Sequence, residues 1–475
     1  MDKIRTGLTF SDVLLVPKRT PLSSRSEADT KTKITKNVSL NNPLVSSNMA
    51  TVTEHKMAIA MAREGGIGVI HQFETIESQV AEVKKVKRST SYIIEDPITA
   101  PSNLTLNDAE DLMEREGVNS LLVVENEKLI GILCHRDYVF ETNKQQKISK
   151  LMTQEKNLIA ADPKITLEAA KEALHKHKIE KIPLLEKGKV VGLITAKDIQ
   201  VSEYWPNASR DKKGRLRVAA AVGVRDTLER ATALVNAGVD LIVLDVAHAH
   251  SDFVIKQLKK IKSKLKVDVL VGNIATQTAA KDLINAGADG LKVGIGPSPV
   301  CTTRIISGSG IPQLTAIMDV VSVASKHKIP VCADGGMTYP GDISKAIAAG
   351  ADTICSGSFF AGTDEAPGYI IMKDGKRYKR YIGSASYDSN HERKEKLTKR
   401  KYKNKIDVFV EGVSNLVDYK GSVDQIIKSL LKGLRSGISY TGAKNIKEMQ
   451  KNSEFIRVTS SGWQESLSRG KKLSE

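Results

Sequence analysis

The sequence predicts an α/β protein: a (β/α)8 barrel of parallel strands interrupted by a tandem insertion. Three observations carry that expectation. From about residue 215, short aliphatic runs alternate with helical patterns. Residues suited to chemistry fall repeatedly just after the ends of those runs. The stretch 93–200 breaks the alternation and repeats itself.

The strand-like runs are Leu241–Ala247, Val267–Asn273, Gly290–Gly296, Ile329–Gly336 and Asp352–Ser358. Three of the intervening helices end in one phrase: NAGVD at 236–240, NAGADG at 285–290 and AAGAD at 348–352. The glycine suits the residue after a helix C-cap, where φ is positive. Asp245, Asn273, the loop 294–301, Asp334-Gly335-Gly336 and Gly357-Ser358 all follow strand ends. A closed barrel brings many strand ends to one focus, whereas an open sheet brings few. The runs LTFSDVLLVPKR near the start and REGGIGVIH at 63–71 are expected to supply the first strands. The barrel is then split: 1–92 and 201–475 surround the insertion 93–200.

Within the insertion, 117–139 parallels 178–200 at an offset of 61, so that Thr105 maps to Thr166, Gly131 to Gly192 and Asp137 to Asp198. Each unit reads helix, strand, turn, strand, then a polar helix start at which Asp137 and Asp198 are N-cap candidates. Two copies are too few for a solenoid and suggest a pair of modules, about 93–150 and 151–200. They resemble tandem CBS domains, which implies adenine or guanine nucleotides as regulatory ligands, with Asp137 and Asp198 contacting ribose.

Composition narrows the class. Among 475 residues, 40% are hydrophobic and 27% charged, enough for a large core, and aromatics are only 4%, so that core is aliphatic. No run approaches about 18 apolar residues, and the start Met1-Asp2-Lys3-Ile4-Arg5 has no signal-peptide character. Cysteines 134, 301, 332 and 355 are scattered without CxxC spacing, which argues against a metal cluster and fits a reduced, cytoplasmic setting. The net charge of +17 is spread along the chain. It fits a phosphorylated substrate as well as nucleic acid, and the basic stretches 393–405 and 469–472, with Tyr402 their one tyrosine, offer no stacking platform.

The segment richest in chemistry is LKVGIGPSPVCTTRIISGSGIPQ, 291–313. A strand opens into a loop with glycines at 294 and 296, followed by Cys301-Thr302-Thr303-Arg304. Glycines admit a ligand close to the backbone, and a neighbouring arginine or helix start favours the nucleophilic thiolate.

This loop, with its surroundings along almost the whole chain, resembles IMP dehydrogenase and GMP reductase: a TIM barrel interrupted by a tandem CBS-domain insertion. The resemblance implies that Cys301 attacks C2 of a purine nucleoside monophosphate, that Thr303 and Glu411 handle protons, and that Tyr402 on a mobile flap at 386–411 takes part in catalysis. It implies Asp334 on the ribose hydroxyls, Gly336, Gly357, Ser358 and Tyr381 around the phosphate, and Ser47 and Met49 beside the base. Asp245, Asn273 and Gly294 fall on the cofactor side, the cofactor being NAD, or NADP for a reductase. A potassium site would use Gly296, Ser298 and Cys301 with Glu465 of a neighbouring subunit, and a homotetramer or larger assembly is implied.

The loop departs from the family's GPGSxC: Ser298 replaces the second glycine, and Pro299 replaces a serine that would donate to phosphate. The flap carries Arg400-Lys401-Tyr402 where dehydrogenases use an adjacent Arg-Tyr pair, and lysine is no substitute for a planar guanidinium. Asn48 and Asp245-Val246-Ala247 are reductase-like, while the long flap, the paired CBS modules, GNIAT (272–276) and GWQES (462–466) are dehydrogenase-like. The balance tips narrowly to IMP dehydrogenase, with GMP reductase as the alternative. A third class, a barrel without catalysis carried by nucleotide-sensing modules, requires loss of Cys301, Thr303, Asp334 and Glu411, all of which are present.

Overall fold

A computed structural model describes residues 4–89, 93–94, 97–398 and 408–468, with backbone only at 198, 201–203 and 396–398. The chain divides into two units: 1–87, 207–210 and 216–475 form the larger, and 88–206 with 211–215 the smaller.

The larger unit is a closed barrel of eight strands. In chain order these are Leu44–Ser46 (β1), Ile67–Ile70 (β2), Ala219–Val222 (β3), Leu241–Asp245 (β4), Asp268–Ile274 (β5), Gly290–Val293 (β6), Val331–Asp334 (β7) and Thr353–Ser356 (β8). Each strand pairs in parallel with the next, and β8 closes on β1 through Ile354 opposite Leu44. Successive side chains point to opposite faces of a strand. Val45, Ile67, Val69, Ala219, Ala221, Leu241, Val243, Leu270, Cys332 and Cys355 therefore fill the interior, where Ile34, Val38 and Leu40 join them. The last three come from the short antiparallel pair Thr32–Lys33 and Ser39–Leu40 and its turn.

One expectation is overturned. Val13–Leu15, inside LTFSDVLLVPKR, is no barrel strand but pairs antiparallel with Phe455–Arg457. The first barrel strand is Leu44–Ser46, buried throughout. A fully buried three-residue strand has no alternation to read, whereas the half-buried VLL imitates one. The strands are also shorter than the runs suggest: Gly290–Gly296 ends at Val293 and Ile329–Gly336 spans Val331–Asp334. The residues released at their carboxyl ends form the loops at that face.

The helix-ending glycines behave as expected, with φ of 88° at Gly238, 100° at Gly287 and 105° at Gly350. Each follows a C-cap alanine.

The smaller unit repeats a helix and a strand pair. Helix Leu106–Glu116 precedes Ser120–Glu125 and Lys128–Cys134, and helix Leu167–His177 precedes Lys181–Glu186 and Lys189–Thr195. Thr105 and Thr166 are equivalent N-caps, accepting from Asp108 N and Ala169 N at 3.2 Å. Asp137 is not the N-cap of its helix. Cys134 is, and Asp137, three residues on, accepts from Cys134 N at 2.7 Å. Asp198 likewise falls inside a helix, Ala196–Glu203, and its side chain is outside the described set. No described helix is long and apolar enough to cross a membrane.

A β-carbon at Gly287 would meet nothing nearer than 3.4 Å, but at Gly350 it would stand 2.4 Å from Val321 Cγ1. Gly287→Ala should therefore cost only the backbone penalty of about 1–2 kcal/mol, and Gly350→Ala distinctly more. Denaturant midpoints of the two variants measure the difference.

Candidate active site

The carboxyl ends of the strands enclose a cavity of about 360 Å³ lined by Ser47, Met49, Asp245, Asn273, Lys292, Cys301, Thr303, Asp334, Gly357, Tyr381 and Glu411, among others. Gly294, Gly296, Ser298 and Ser358 also line it. Gly336 follows the lining residue Gly335 and packs against Pro297, whose Cβ lies 3.2 Å from where a Gly336 Cβ would be. Tyr402 lies outside the described residues, and Glu465 ends the helix Ser460–Glu465 and is not among the cavity's lining residues.

At the centre is a residue that the sequence reading missed. Lys292, on β6, is 4% exposed and donates to Asp245 Oδ1 at 2.8 Å, Asn273 Oδ1 at 2.9 Å and Asp334 Oδ2 at 2.5 Å. Burial opposes its charge, but Asp245 and Asp334 outweigh burial and hold the ammonium well above its usual range. The ammonium joins the ends of β4, β5 and β7. A lone lysine in phase with the inward residues of an otherwise apolar strand was the available signal: its ladder partner is the interior Cys332.

Asn273 Nδ2 donates to Gly294 O at 2.7 Å and Asp334 Oδ2 at 2.8 Å, so its amide is spent on holding neighbours. Asp334 Oδ1 has no partner among the described residues and remains free on the cavity side. Asn48 Nδ2 donates to Asp245 Oδ2 at 2.9 Å. Gln313, also unforeseen, ties two strand ends through Val293 O at 2.9 Å and Asp334 O at 3.1 Å. Gly294 has to be glycine here: at φ 147°, a Cβ would stand 2.2 Å from Asp334 O.

Cys301 is half-buried, whereas Cys332 and Cys355 are buried. A hydrogen bond to Cys332, then burial, push the Cys355 thiol well up, as befits an inert core thiol. Cys301 Sγ is 3.2 Å from Thr303 Oγ1, and Thr303 Oγ1 donates to Glu411 Oε2 at 2.7 Å. Thiol, hydroxyl and carboxylate thus form a relay ending on an acid. Main-chain bonds fix Glu411: its carbonyl accepts from Thr302 N at 2.9 Å and its N–H donates to Ala385 O at 3.0 Å. Cys301 bridges Gly412, and Val413 N donates to Val300 O at 3.0 Å. Arg304 braces the cysteine loop through Ile295 O at 3.1 Å and Ile311 O at 2.7 Å.

The loops after β7 and β8 bring main-chain groups to the same face. The main-chain N–H groups of Gly336, Gly357 and Ser358 have no hydrogen-bond partner among the described residues. Three unpaired amides in one region ask for an acceptor. Gly357 is wedged tightly, since a Cβ would stand 2.5 Å from Tyr381 Oη and 2.8 Å from Met49 Sδ. Burial raises the Tyr381 phenol, which keeps its proton and can donate it. Ser47 N–H donates to Ser356 O at 3.1 Å and Ser47 O accepts from Thr53 Oγ1 at 2.7 Å, which fixes the turn beneath Met49.

The candidate cation loop offers three carbonyls, and that of Ser298 already accepts from Cys301 N at 3.0 Å. A carbonyl cage for a monovalent cation replaces the ion's hydration shell. Within one chain this donor set falls short of that, and no step is derived through a cation.

Strand ends that gather a thiol, a hydroxyl, carboxylates and unpaired amides around one cavity place this barrel among enzymes. The family model described as IMP dehydrogenase / GMP reductase domain matches residues 7–469, and the chain belongs to that family of nicotinamide-using oxidoreductases. It is 48% identical to an inosine-5'-monophosphate dehydrogenase of Nitrosopumilus maritimus over 98% of both chains. It is 46% identical to a GMP reductase of Leishmania donovani over 97% of this chain and 96% of that one. Among solved structures, a cysteine-to-alanine GMP reductase of Trypanosoma brucei in complex with guanosine 5'-monophosphate matches with a TM-score of 0.88 at 42% identity, covering 99% of each chain.

Replacing the buried ammonium with an apolar group strands two carboxylates, so Lys292→Met should lose about 3–5 kcal/mol. Because the folded-state lysine is raised, its contribution is complete below about pH 10.4 and is lost as pH rises through the folded value. The stability gap between wild type and variant should be flat through neutral pH and shrink only in strong alkali, as read from denaturation curves across pH.

Proposed function

We propose that this chain is an IMP dehydrogenase, converting IMP, NAD and water to XMP, NADH and a proton through a covalent bond from Cys301 to C2 of the purine. The relay from Cys301 through Thr303 to Glu411 carries the proposal. The thiol proton passes by way of the Thr303 hydroxyl towards Glu411 as sulfur bonds to C2. The nicotinamide cofactor, when bound, accepts the hydride that leaves C2. Glu411 gives that first proton up to solvent. Acting through Thr303, it then takes a proton from the water that adds to C2 and returns it to the departing sulfur, while the second proton of the water stays on the purine and C2 becomes a carbonyl. With Arg400 and Tyr402 not adjacent in sequence, this route serves as the base.

The remaining groups bind and orient. Asp334 Oδ1 accepts from the ribose hydroxyls, and the amides of Gly336, Gly357 and Ser358, with the Tyr381 hydroxyl, hold the phosphate. Pro299 contributes no donor, so the phosphate rests on those amides. Ser47 and Met49 face the base. The cofactor takes the part of the cavity to which Asp245, Gln72, Phe73 and Gly223 contribute lining. Asp245 takes the nicotinamide ribose while Asn273 and Gly294 shape the wall.

A second reading is GMP reductase, in which GMP and NADPH give IMP and ammonia through the same thiol adduct. The bond from Asn48 to Asp245 favours it, as does the likeness to the Trypanosoma brucei reductase. There the relay runs in reverse, and Glu411 supplies a proton to the leaving ammonia. Assaying the purified protein in parallel with IMP plus NAD and with GMP plus NADPH, by nicotinamide absorbance, separates the two. Turnover only in the second mixture would replace the first reading.

The paired modules at 93–200 bind adenine or guanine nucleotides and tune the activity of a homotetramer or larger cytoplasmic assembly. Deleting 93–200 should abolish any response of turnover to ATP or GTP, while an unaltered response would refute the role.

Cys301→Ala should lower turnover by roughly 1,000-fold or more, the scale of loss when a catalytic nucleophile is removed, with purine monophosphate affinity largely kept. Calorimetric titration beside the kinetic assay measures both.

A further inference from the structure

Two arginines in the lining of the cavity take no part in the chemistry above. Arg225 follows the loop after β3, and Arg393 lies in the helix Tyr387–Thr398. Both line the same cavity as Cys301. Arg225 is exposed, and Arg393 is half-buried with its guanidinium 5.8 Å above the Phe73 ring. Phe73 is itself 8% exposed, a fixed platform.

Neither guanidinium has an acidic partner among the described residues. The nearest acid, Asp226, is taken by Arg230 through two bonds of 2.9 and 2.7 Å. Arg393 Nε is shut off from solvent with no hydrogen-bond partner among the described residues. Burial, then the neighbouring Arg225, depress the Arg393 guanidinium from its usual value, and Asp226 offsets this only in part. Two like charges at a cavity wall, one with an orphan N–H, are an arrangement that an anion relieves. Guanidinium groups match phosphate oxygens in paired geometry, and a stacked guanidinium is already oriented for it.

We propose that Arg225 and Arg393 form a clamp for a phosphate group of the nicotinamide dinucleotide, with Phe73 as the platform that fixes Arg393. The inference rests on the dinucleotide reading of the cavity given above and adds its anchor. Two sources share this chemistry, the diphosphate bridge present in NAD and NADP and the additional 2′-phosphate of NADP. A phosphate docked there lies on the cofactor side of Asp245, away from the amides that hold the substrate phosphate.

The test uses the full chain, wild type against Arg225→Gln, Arg393→Gln and Arg393→Lys, and reads equilibrium binding by calorimetry of NAD, NADP and a purine nucleoside monophosphate. Each Gln variant should weaken dinucleotide binding roughly 10- to 100-fold, the range expected for losing a charge-assisted hydrogen bond. Arg393→Lys should rescue only part, and monophosphate affinity should not move. Equal weakening for NAD and NADP identifies the diphosphate, and weakening for NADP alone identifies the 2′-phosphate. Unchanged dinucleotide affinity in both Gln variants overturns the clamp, as does an equal loss for the monophosphate. Failure of the wild-type protein to bind either dinucleotide would instead remove the cofactor reading on which the clamp rests. Unaltered monophosphate binding and melting curves exclude misfolding as the cause.

Discussion

A single buried ammonium organises the mouth of this barrel. Lys292 reaches Asp245, Asn273 and Asp334, on the ends of three strands, and carries one positive charge between two carboxylates. Neither acid could sit so close to the other, largely out of water, without it. The charge also decides which oxygens remain for ligands: Asp334 turns one oxygen inward to the lysine and leaves the other for the cavity. The ends of β4 and β7 are therefore held by the same nitrogen, and a shift of Asp245 cannot leave Asp334 unaffected.

Around this hub, short main-chain links keep the reactive groups in register. Gln313 ties β6 to β7, Arg304 braces the cysteine loop, and the pairing of Val300 and Thr302 with the 411–413 segment sets Glu411 over Thr303. None of these supports is itself a reacting group. They hold a thiol, a hydroxyl and a carboxylate within hydrogen-bond reach of one another, and positioning of that kind supplies a large share of a catalyst's effect.

Much of the barrel was legible because helix ends and strand ends carry local signals. The phrases around Gly238, Gly287 and Gly350 mark places where only a residue tolerant of positive φ ends a helix cleanly, and the strands begin directly after them. The chemistry-bearing residues were legible for a related reason, since they follow those strands. What escaped was non-local. Leu44–Ser46 is too short and too uniformly buried to announce a strand, and Val13–Leu15 imitates one because it pairs with a segment more than 400 residues away. Lys292 looked like one of many lysines in a chain of net charge +17. Its role depends on two aspartates that only barrel closure brings to it. Asp137 was misjudged by three positions because in a capping box the acid that signals the helix start stands at the third helical residue and reaches back to the cap.

The long excursion from 386 to 411 leaves and returns through a narrow neck. Glu411 N–H bonds to Ala385 O, and Ser386 bridges Gly412. The proton relay is anchored at that neck, not along the excursion itself. Doubling the length of a flexible loop costs only about 0.6 kcal/mol in closure entropy, so the segment can lengthen while thiol, hydroxyl and carboxylate stay where they are. A chain built in this way can change what the helix Tyr387–Thr398 presents to the cavity, Arg393 included, without moving the carboxylate held at the neck.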